Sequence, residues 1–309
     1  MENAINKKFH DNVSVMFYDF SPRWSLHSDV DYILERGYIN SLSSIDLGAS
    51  TSYLCTKSKE NGMPIWVIVP AFIPAHQTID EYIAKLDKSI EGYKKKEIWD
   101  TVVGFMWNEP FADKAHSNEA FLEMTRALSE KYGKRIFVNV SLGNFENDAE
   151  PDFEWILEKE YSKYITDVGF GLYGWDMRPE SQEKLAPYLE ALGKKENAEF
   201  KTAADVYQHY TDKMLERVED SEKVRVWYFP CACVCKPVGG AVMDEDYCVG
   251  HLEGLKELLL KQKNPGGLCI YKFKFVLEDN LHPKNPNKWT CYEQTLKNVC
   301  KELSDIKLK

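Results

Sequence analysis

The sequence contains no run of apolar residues near the roughly 20 that a membrane-spanning helix needs. Residues 1–17 do not place a basic segment ahead of a long apolar run, which is the pattern of a secretory signal. We therefore expect a cytoplasmic protein with no membrane partner, although a chain whose signal had been removed would look the same. Blocks rich in Lys and Arg are missing apart from residues 94–96, and the formal net charge is −10. Nucleic acid is not expected as a partner.

Several motifs of familiar enzyme classes are also missing. No G-x-G-x-x-G turn follows the first predicted strand, and there is no Walker loop. There is no G-x-S-x-G sequence of the serine hydrolases. The 7 histidines are scattered along the chain, which argues against a histidine-rich metal site. We expect neither a cofactor nor a metal ion.

Cysteine is present, with 8 residues, and in a cytoplasmic chain of this size we expect free thiols. Cys231, Cys233 and Cys235 occupy alternate positions, which places three thiols on one face of a strand. Zinc sites more often use Cys-x-x-Cys pairs or added histidines, so ordinary buried thiols are the favoured interpretation. A metal hydrolase with thiolate ligands is the less favoured alternative.

Short apolar runs alternate with longer amphipathic stretches along the chain. Thr78 and Glu81 have the spacing of a capping box, which predicts a helix start. Glycines that could end predicted helices in a left-handed turn are Gly37, Gly62, Gly133 and Gly193. The apolar runs are hydrophobic almost throughout, as expected for strands buried on both faces. They cover residues 13–20, 38–48, 64–72, 102–110, 135–143, 165–175, 224–232 and 267–275.

Eight strand–helix units in 309 residues match the size of a TIM (β/α)8 barrel, and we expect one such domain over residues 1–309. The main alternative is an open doubly wound sheet, which often carries the glycine-rich phosphate turn that is missing here. Residues 176–223 predict two helices and are a candidate insertion beside the active face.

The predicted strand ends carry carboxylates, amides and aromatic rings. In a TIM barrel the carboxyl-terminal ends of the strands hold the active site. Cleavage of a glycosidic bond needs one acid that protonates the leaving oxygen and a second group that attacks or activates water. Aromatic faces suit stacking on sugar rings. This inventory favours a hydrolase acting on an oligosaccharide or glycoconjugate.

The stretch VVGFMWNEP, residues 102–110, ends a predicted buried strand on Asn108 and Glu109. It resembles the strand-four signature of the clan A glycoside hydrolases, (β/α)8 barrels in which an Asn-Glu pair ends the fourth strand. The resemblance implies that Glu109 is the general acid/base and that Asn108 bonds the 2-hydroxyl of the sugar. Low-dielectric surroundings at the end of an apolar strand raise a carboxyl pKa, which suits a proton donor.

The sequence departs from clan A at the seventh strand, where those enzymes carry a nucleophilic Glu. Here VRVWYFPCACVCK contains no carboxylate. The second carboxylate could instead be Asp176, which we favour, with Asp19 and Asp46 as further candidates. Alternatively, an acetamido group of the substrate could act as nucleophile, or the barrel could bind glycan without turnover.

Each predicted site residue also has a structural interpretation. Glu109 could cap a helix or pair with Arg, Asn108 could shape a turn, and Asp176 could cap the helix that follows. The aromatic residues could fill the core. The residues expected to contact sugar are Trp24, Asp46, Trp107, Asn108, Asn139, Tyr173, Trp175 and Tyr228. The sequence does not indicate an oligomeric state.

Overall fold

The alternating runs form strands and helices in the computed structural model. It describes residues 12–18, 27–45, 47–69, 78–108, 118–140, 159–232, 238, 244–271, 281 and 285–308. Six residues singled out by the sequence lie outside the described residues, namely Asp19, Trp24, Asp46, Glu109, Cys233 and Cys235.

Eight strands form one parallel sheet with the order β1-β8-β7-β6-β5-β4-β3-β2. They are β1 Ser14–Phe17, β2 Leu42–Ile45, β3 Ile65–Val69, β4 Val102–Asn108, β5 Arg135–Asn139, β6 Asp167–Phe170, β7 Arg225–Tyr228 and β8 Pro265–Ile270. Strands β1 and β2 also approach each other. The N–H of Ser41 donates to the carbonyl of Val15 at 3.2 Å, and Ser43 Oγ donates to the carbonyl of Phe17 at 2.6 Å. The sheet is therefore a nearly closed barrel, which confirms the predicted TIM fold.

Eight α-helices are described. They are α1 His27–Arg36, α2 Ala49–Asn61, α3 Ile79–Lys95, α4 Asn118–Tyr132, α5 Gln182–Glu196, α6 Ala203–Arg217, α7 Glu245–Leu260 and α8 Thr290–Ser304. Helix α3 begins with the predicted capping box, in which Thr78 Oγ1 accepts from Glu81 N and Glu81 Oε2 accepts from Thr78 N. Residues 176–223 contain the two predicted helices, α5 and α6. Within the described ranges, no helix combines the length and apolar character required to cross a membrane.

The glycine predictions are confirmed at three positions and wrong at the fourth. Gly37, Gly62 and Gly133 have φ values of 68°, 66° and 61°, in the left-handed region that ends helices. Gly193 instead lies inside α5, and Asn197, with φ 51°, caps the end of that helix. A β-carbon at Gly193 would lie 2.6 Å from the carbonyl oxygen of Ala198. Close backbone packing therefore requires glycine at this position.

Strand side chains alternate between two apolar layers. Those that point outward pack under the helices in a large cluster. Those that point inward fill the barrel as a separate cluster, with buried members Met16, Trp66, Ile68, Val103, Met106, Phe137, Trp227, Phe229 and Cys269. The barrel is thus packed in the middle, and its two ends differ.

The amino-terminal end of the barrel, which we call the floor, consists of Trp66, Arg135, Asp167, Arg225 and Trp227. The fully buried Asp167 carboxylate accepts from Arg135 Nε at 2.7 Å, from Arg225 Nε at 2.7 Å and from Trp227 Nε1 at 2.8 Å. Burial alone would raise the pKa of Asp167, but the charges of the two arginines outweigh it and hold the pKa below its usual range. The rings of Trp66 and Trp227 pack edge to face, with their centroids 5.6 Å apart. The floor is therefore closed by ion pairs and tryptophan rings.

Candidate active site

The carboxyl-terminal end of the barrel carries a pair of amides. Strand β4 ends on Asn108, which pairs in register with Asn139 of β5. Asn139 Nδ2 donates to Asn108 Oδ1 at 2.6 Å. Both residues lie two positions after a side chain of the inner cluster, so alternation turns them towards the barrel interior. Asn108 is half-buried and Asn139 is buried. The two amides form a neutral polar pair at the mouth.

The proton donor implied by the resemblance follows this pair directly. Glu109 is the next residue after Asn108, and its role remains a prediction because it lies outside the described residues. The same holds for Asp19, Trp24 and Asp46.

Four aromatic residues form what we call the mouth wall: Tyr18, Tyr173, Phe229 and Tyr271. The rings of Tyr173 and Tyr271 are stacked with centroids 5.1 Å apart and an interplanar angle of 19°. The ring centroid of Tyr18 lies 5.7 Å from that of Tyr271 and 6.2 Å from that of Phe229. Desolvation raises the pKa of Tyr173 well above its usual value. Its phenol therefore stays protonated and is a neutral hydrogen-bond donor.

Only Tyr173 of the mouth wall was expected from the sequence. Each of the other three lies two positions after an inward-facing side chain and shares its direction, but the sequence alone does not show which face of the strand is inward. These pairs are Met16 and Tyr18, Trp227 and Phe229, and Cys269 and Tyr271.

Asp176, the favoured second carboxylate, is engaged in a local ion pair. Its carboxylate accepts from Arg178 Nη2 at 2.8 Å, from the Arg178 backbone N–H at 3.0 Å and from Ser181 Oγ at 2.6 Å. Burial raises the pKa of Asp176, but the hydrogen bonds from Arg178 and Ser181 outweigh it and lower the pKa below its usual value. The N-cap positions of the two elements that follow are Arg178 and Ser181, so Asp176 is not itself the cap, and its catalytic role stays a prediction.

Three aromatic residues that we expected to contact sugar point away from the mouth. Trp107 is buried, and its ring packs edge-on against Phe121 of α4 with centroids 5.2 Å apart. Tyr228 is buried with its hydroxyl 2.9 Å from Thr211 Oγ1 of α6. Trp175 is fully buried in the outer cluster. Strand alternation explains the first two, because their neighbours Asn108 and residue 229 face inward. The packing gives each of the three a structural role in place of the predicted sugar contact.

The end of β7 supplies thiol and backbone groups. No carboxylate occurs in residues 225–232. Cys231 is fully buried, and its N–H donates to Nδ1 of His251 at 3.0 Å. Among the described residues, no group of three or more His, Cys, Asp or Glu side chains could hold a metal ion. The metal interpretation of Cys231 therefore gains no support from the described part of the site.

Comparison with known proteins shows the fold. No family model matches the sequence, and no curated protein sequence matches it either. Among solved structures, a β-glucuronidase of an uncultured Clostridium species has a TM-score of 0.54 at 13% identity; the match covers 94% of this chain and 50% of the other. This chain thus spans about half the length of that enzyme.

Two further structures match over most of both chains. A family 17 β-1,3-glucanosyltransferase from Rhizomucor miehei has a TM-score of 0.54 at 12% identity, with 86% of this chain and 87% of the other covered. A GH113 β-1,4-mannanase has a TM-score of 0.50 at 11% identity, with 95% and 99% covered. The chain therefore has the (β/α)8 barrel fold found in glycoside hydrolases of several families.

Proposed function

We propose that the protein hydrolyses a glycosidic bond in an oligosaccharide or glycoconjugate, with Glu109 as general acid/base. The proposal starts from its barrel fold, which is of the type found in glycoside hydrolases. The observation that supports this most is the position of Asn108. It ends β4, faces the barrel interior at the mouth and is held there by Asn139. The fourth strand thus ends at the catalytic face, where the resemblance to clan A requires an Asn-Glu pair.

In the proposed reaction the protonated Glu109 gives its proton to the glycosidic oxygen as the bond from that oxygen to the anomeric carbon breaks. The leaving sugar departs as an alcohol, water supplies the new hydroxyl group, and the remaining proton of that water restores the protonated Glu109, directly or through the second catalytic group. Asn108 bonds the 2-hydroxyl without adding charge. Tyr173 and Tyr271 contribute aromatic surface beside the sugar ring. The candidates for the second catalytic group are Asp176, whose carboxylate is paired with Arg178, together with Asp19, Asp46 and an acetamido group of the substrate.

A second candidate function is saccharide binding without turnover. The absence of a carboxylate from residues 225–232 favours it, because a retaining clan A enzyme needs its nucleophile at that strand end. Both candidate functions use the same mouth, so the experiment must measure saccharide binding as well as hydrolysis.

The test is incubation of the protein with mannotetraose, laminaritetraose and 4-nitrophenyl β-glucuronide. These compounds correspond to the enzyme activities for which the three structural neighbours are named. A wider set of 4-nitrophenyl glycosides is tested alongside them. Product release from at least one of them is the expected result. Calorimetric binding with no product after prolonged incubation would favour the binding function instead. Neither binding nor product across the whole set would contradict the proposal.

A further inference from the structure

The backbone on both sides of Tyr173 is held by hydroxyl groups from the outer helices. Tyr207 of α6 accepts from the N–H of Leu172 and donates to the carbonyl of Leu172, both at 3.0 Å. Tyr247 of α7 accepts from the N–H of Gly174 at 3.1 Å. The residue before Tyr173 and the residue after it are therefore both fixed by a fully buried phenol.

A buried imidazole connects this loop to the next strand. His251 of α7 has Nε2 3.0 Å from the hydroxyl of Tyr207, and its Nδ1 accepts from the N–H of Cys231 at 3.0 Å. Because a backbone N–H can only donate, Nδ1 is the acceptor and the neutral imidazole carries its proton on Nε2. His251 then donates to Tyr207 and joins the end of β7 to the loop after β6.

The side chain of Tyr173 is also fixed. A β-carbon at Gly171 would lie 2.7 Å from Cε1 of Tyr173, so the ring occupies space that only a glycine leaves open. The ring is also stacked on Tyr271. Among the described residues, none hydrogen-bonds the hydroxyl of Tyr173. The ring is therefore held in place in the mouth wall.

We propose that Tyr207 and His251 are positioning residues that hold Tyr173 against Tyr271, so that its hydroxyl donates to a bound saccharide. A group fixed before binding loses less conformational freedom when the ligand arrives. A saccharide fits because its hydroxyl oxygens can accept from a phenol. The identity of the ligand rests on the proposed function, whereas the fixing of Tyr173 does not.

The first test is Tyr207→Phe, which removes the hydroxyl that holds Leu172. Tyr228→Phe is the matched control, because it also removes a buried tyrosine hydroxyl, but one that bonds Thr211 of α6 and not the loop. The readout is the ring resonance of Tyr173 in protein with labelled tyrosine, assigned with Tyr173→Phe. Stacking on Tyr271 displaces this resonance from its free position. We expect the displacement to collapse in Tyr207→Phe and to persist in Tyr228→Phe.

Two substitutions of His251 separate its two hydrogen bonds and serve if Tyr207→Phe does not fold. His251→Gln can reach Tyr207 with its side-chain amide, whereas His251→Asn retains an acceptor close to Cys231 but is too short for Tyr207. We expect the Tyr173 resonance to stay near its native position in His251→Gln and to move in His251→Asn. An unmoved resonance in Tyr207→Phe, or in His251→Asn where Tyr207→Phe does not fold, would overturn the proposal.

The second test asks whether Tyr207 acts on ligand binding through Tyr173. Mannotetraose and laminaritetraose are titrated into native protein, Tyr207→Phe, Tyr173→Phe and the double variant. For a sugar that binds, we expect Tyr207→Phe to weaken affinity about tenfold, ~1.4 kcal/mol. In the Tyr173→Phe background the same change should have almost no effect. Equal weakening in both backgrounds would contradict positioning. If native protein binds neither sugar, this ligand class is wrong, and the ring resonances alone decide whether Tyr173 is positioned.

Discussion

The floor and the mouth of this barrel are built from the same eight strands but use polar groups in opposite ways. At the floor, the charges of Arg135, Asp167 and Arg225 bind one another and are closed off by tryptophan rings. At the mouth, the pair Asn108 and Asn139 is neutral and partly accessible. The comparison teaches that the floor contributes to stability, whereas the mouth retains groups that a ligand can use, as in other TIM barrels.

The largest expected effect is at the floor. Asp167→Ala leaves two guanidinium groups without their carboxylate, and breaking such a buried pair costs about 3–5 kcal/mol. We expect a loss of this size in the free energy of unfolding measured with urea. Glu190→Ala is the control, because it breaks a solvent-exposed pair with Lys194, and such pairs contribute little to stability. Similar losses in the two variants would remove the special role of the floor.

Lys134 is a buried lysine beside the floor and gives a second test of the comparison between floor and mouth. Its ammonium group is less well compensated by opposite charge than the arginines of the floor. Lys134 is 6% exposed, lies 4.7 Å from the ring centroid of Trp99, and donates at 3.4 Å to the carbonyl of Trp99. Burial lowers the pKa of Lys134 to about 8. Between about pH 8 and its usual pKa near 10.5, the unfolded chain binds a proton that the folded chain does not, so stability rises with pH in that window.

Lys134→Met should therefore stabilise the protein at pH 7 by up to ~3 kcal/mol, at about 1.4 kcal/mol for each pKa unit. The gain should shrink as the pH rises from 8 towards 10.5. Urea unfolding at several pH values measures it. Lys131→Met changes a half-exposed lysine and should shift stability by less than about 1 kcal/mol. Destabilisation by Lys134→Met at pH 7 would show that the ammonium is well compensated.

Packing at the floor is the next test. A β-carbon at Gly104 would lie 2.2 Å from Cζ3 of Trp66 and 2.8 Å from the carbonyl oxygen of Arg135. Gly104→Ala should lower the free energy of unfolding by about 1–3 kcal/mol, the usual cost of overpacking. Gly92→Ala in α3 meets no atom within 4 Å and should instead stabilise by about 0.5–1 kcal/mol. The two substitutions should therefore change the free energy of unfolding in opposite directions, so the comparison does not depend on the absolute size of either change.

The smallest stability effect is expected at the mouth. Asn139→Ala removes one hydrogen bond to Asn108, whose amide is accessible to water, and should cost about 0.5–1.5 kcal/mol. Turnover should fall far more than stability, because Asn108 then loses the contact that orients it. A stability loss as large as that of Asp167→Ala would break the distinction between mouth and floor.

The sequence predicted the fold well because its signals are local. The capping box of Thr78 and Glu81 and the apolar strand runs mark element boundaries without knowledge of tertiary contacts. The prediction for Gly193 was wrong, because this glycine lies inside a helix and allows close packing against Ala198. Nothing local distinguishes that use of glycine from a helix end.

The site was harder to predict because strands buried on both faces show no polar alternation. Trp107 and Tyr228 therefore looked equivalent to their inward neighbours, although they face the helices. The predicted eighth strand ran on to residue 275, whereas β8 ends at Ile270, so Tyr271 was overlooked at the mouth. Asp176 was chosen by type and position, and its ion pair with Arg178 became visible only in three dimensions.

The most direct test of the central claim compares Glu109→Gln with Glu123→Gln, the same change on an exposed position of α4. With a substrate that the native protein cleaves, Glu109→Gln should release product at least about a hundredfold more slowly, the usual contribution of a general acid. Both variants should keep the native unfolding midpoint, and Glu123→Gln should keep the native rate. An unchanged rate in folded Glu109→Gln would contradict the account.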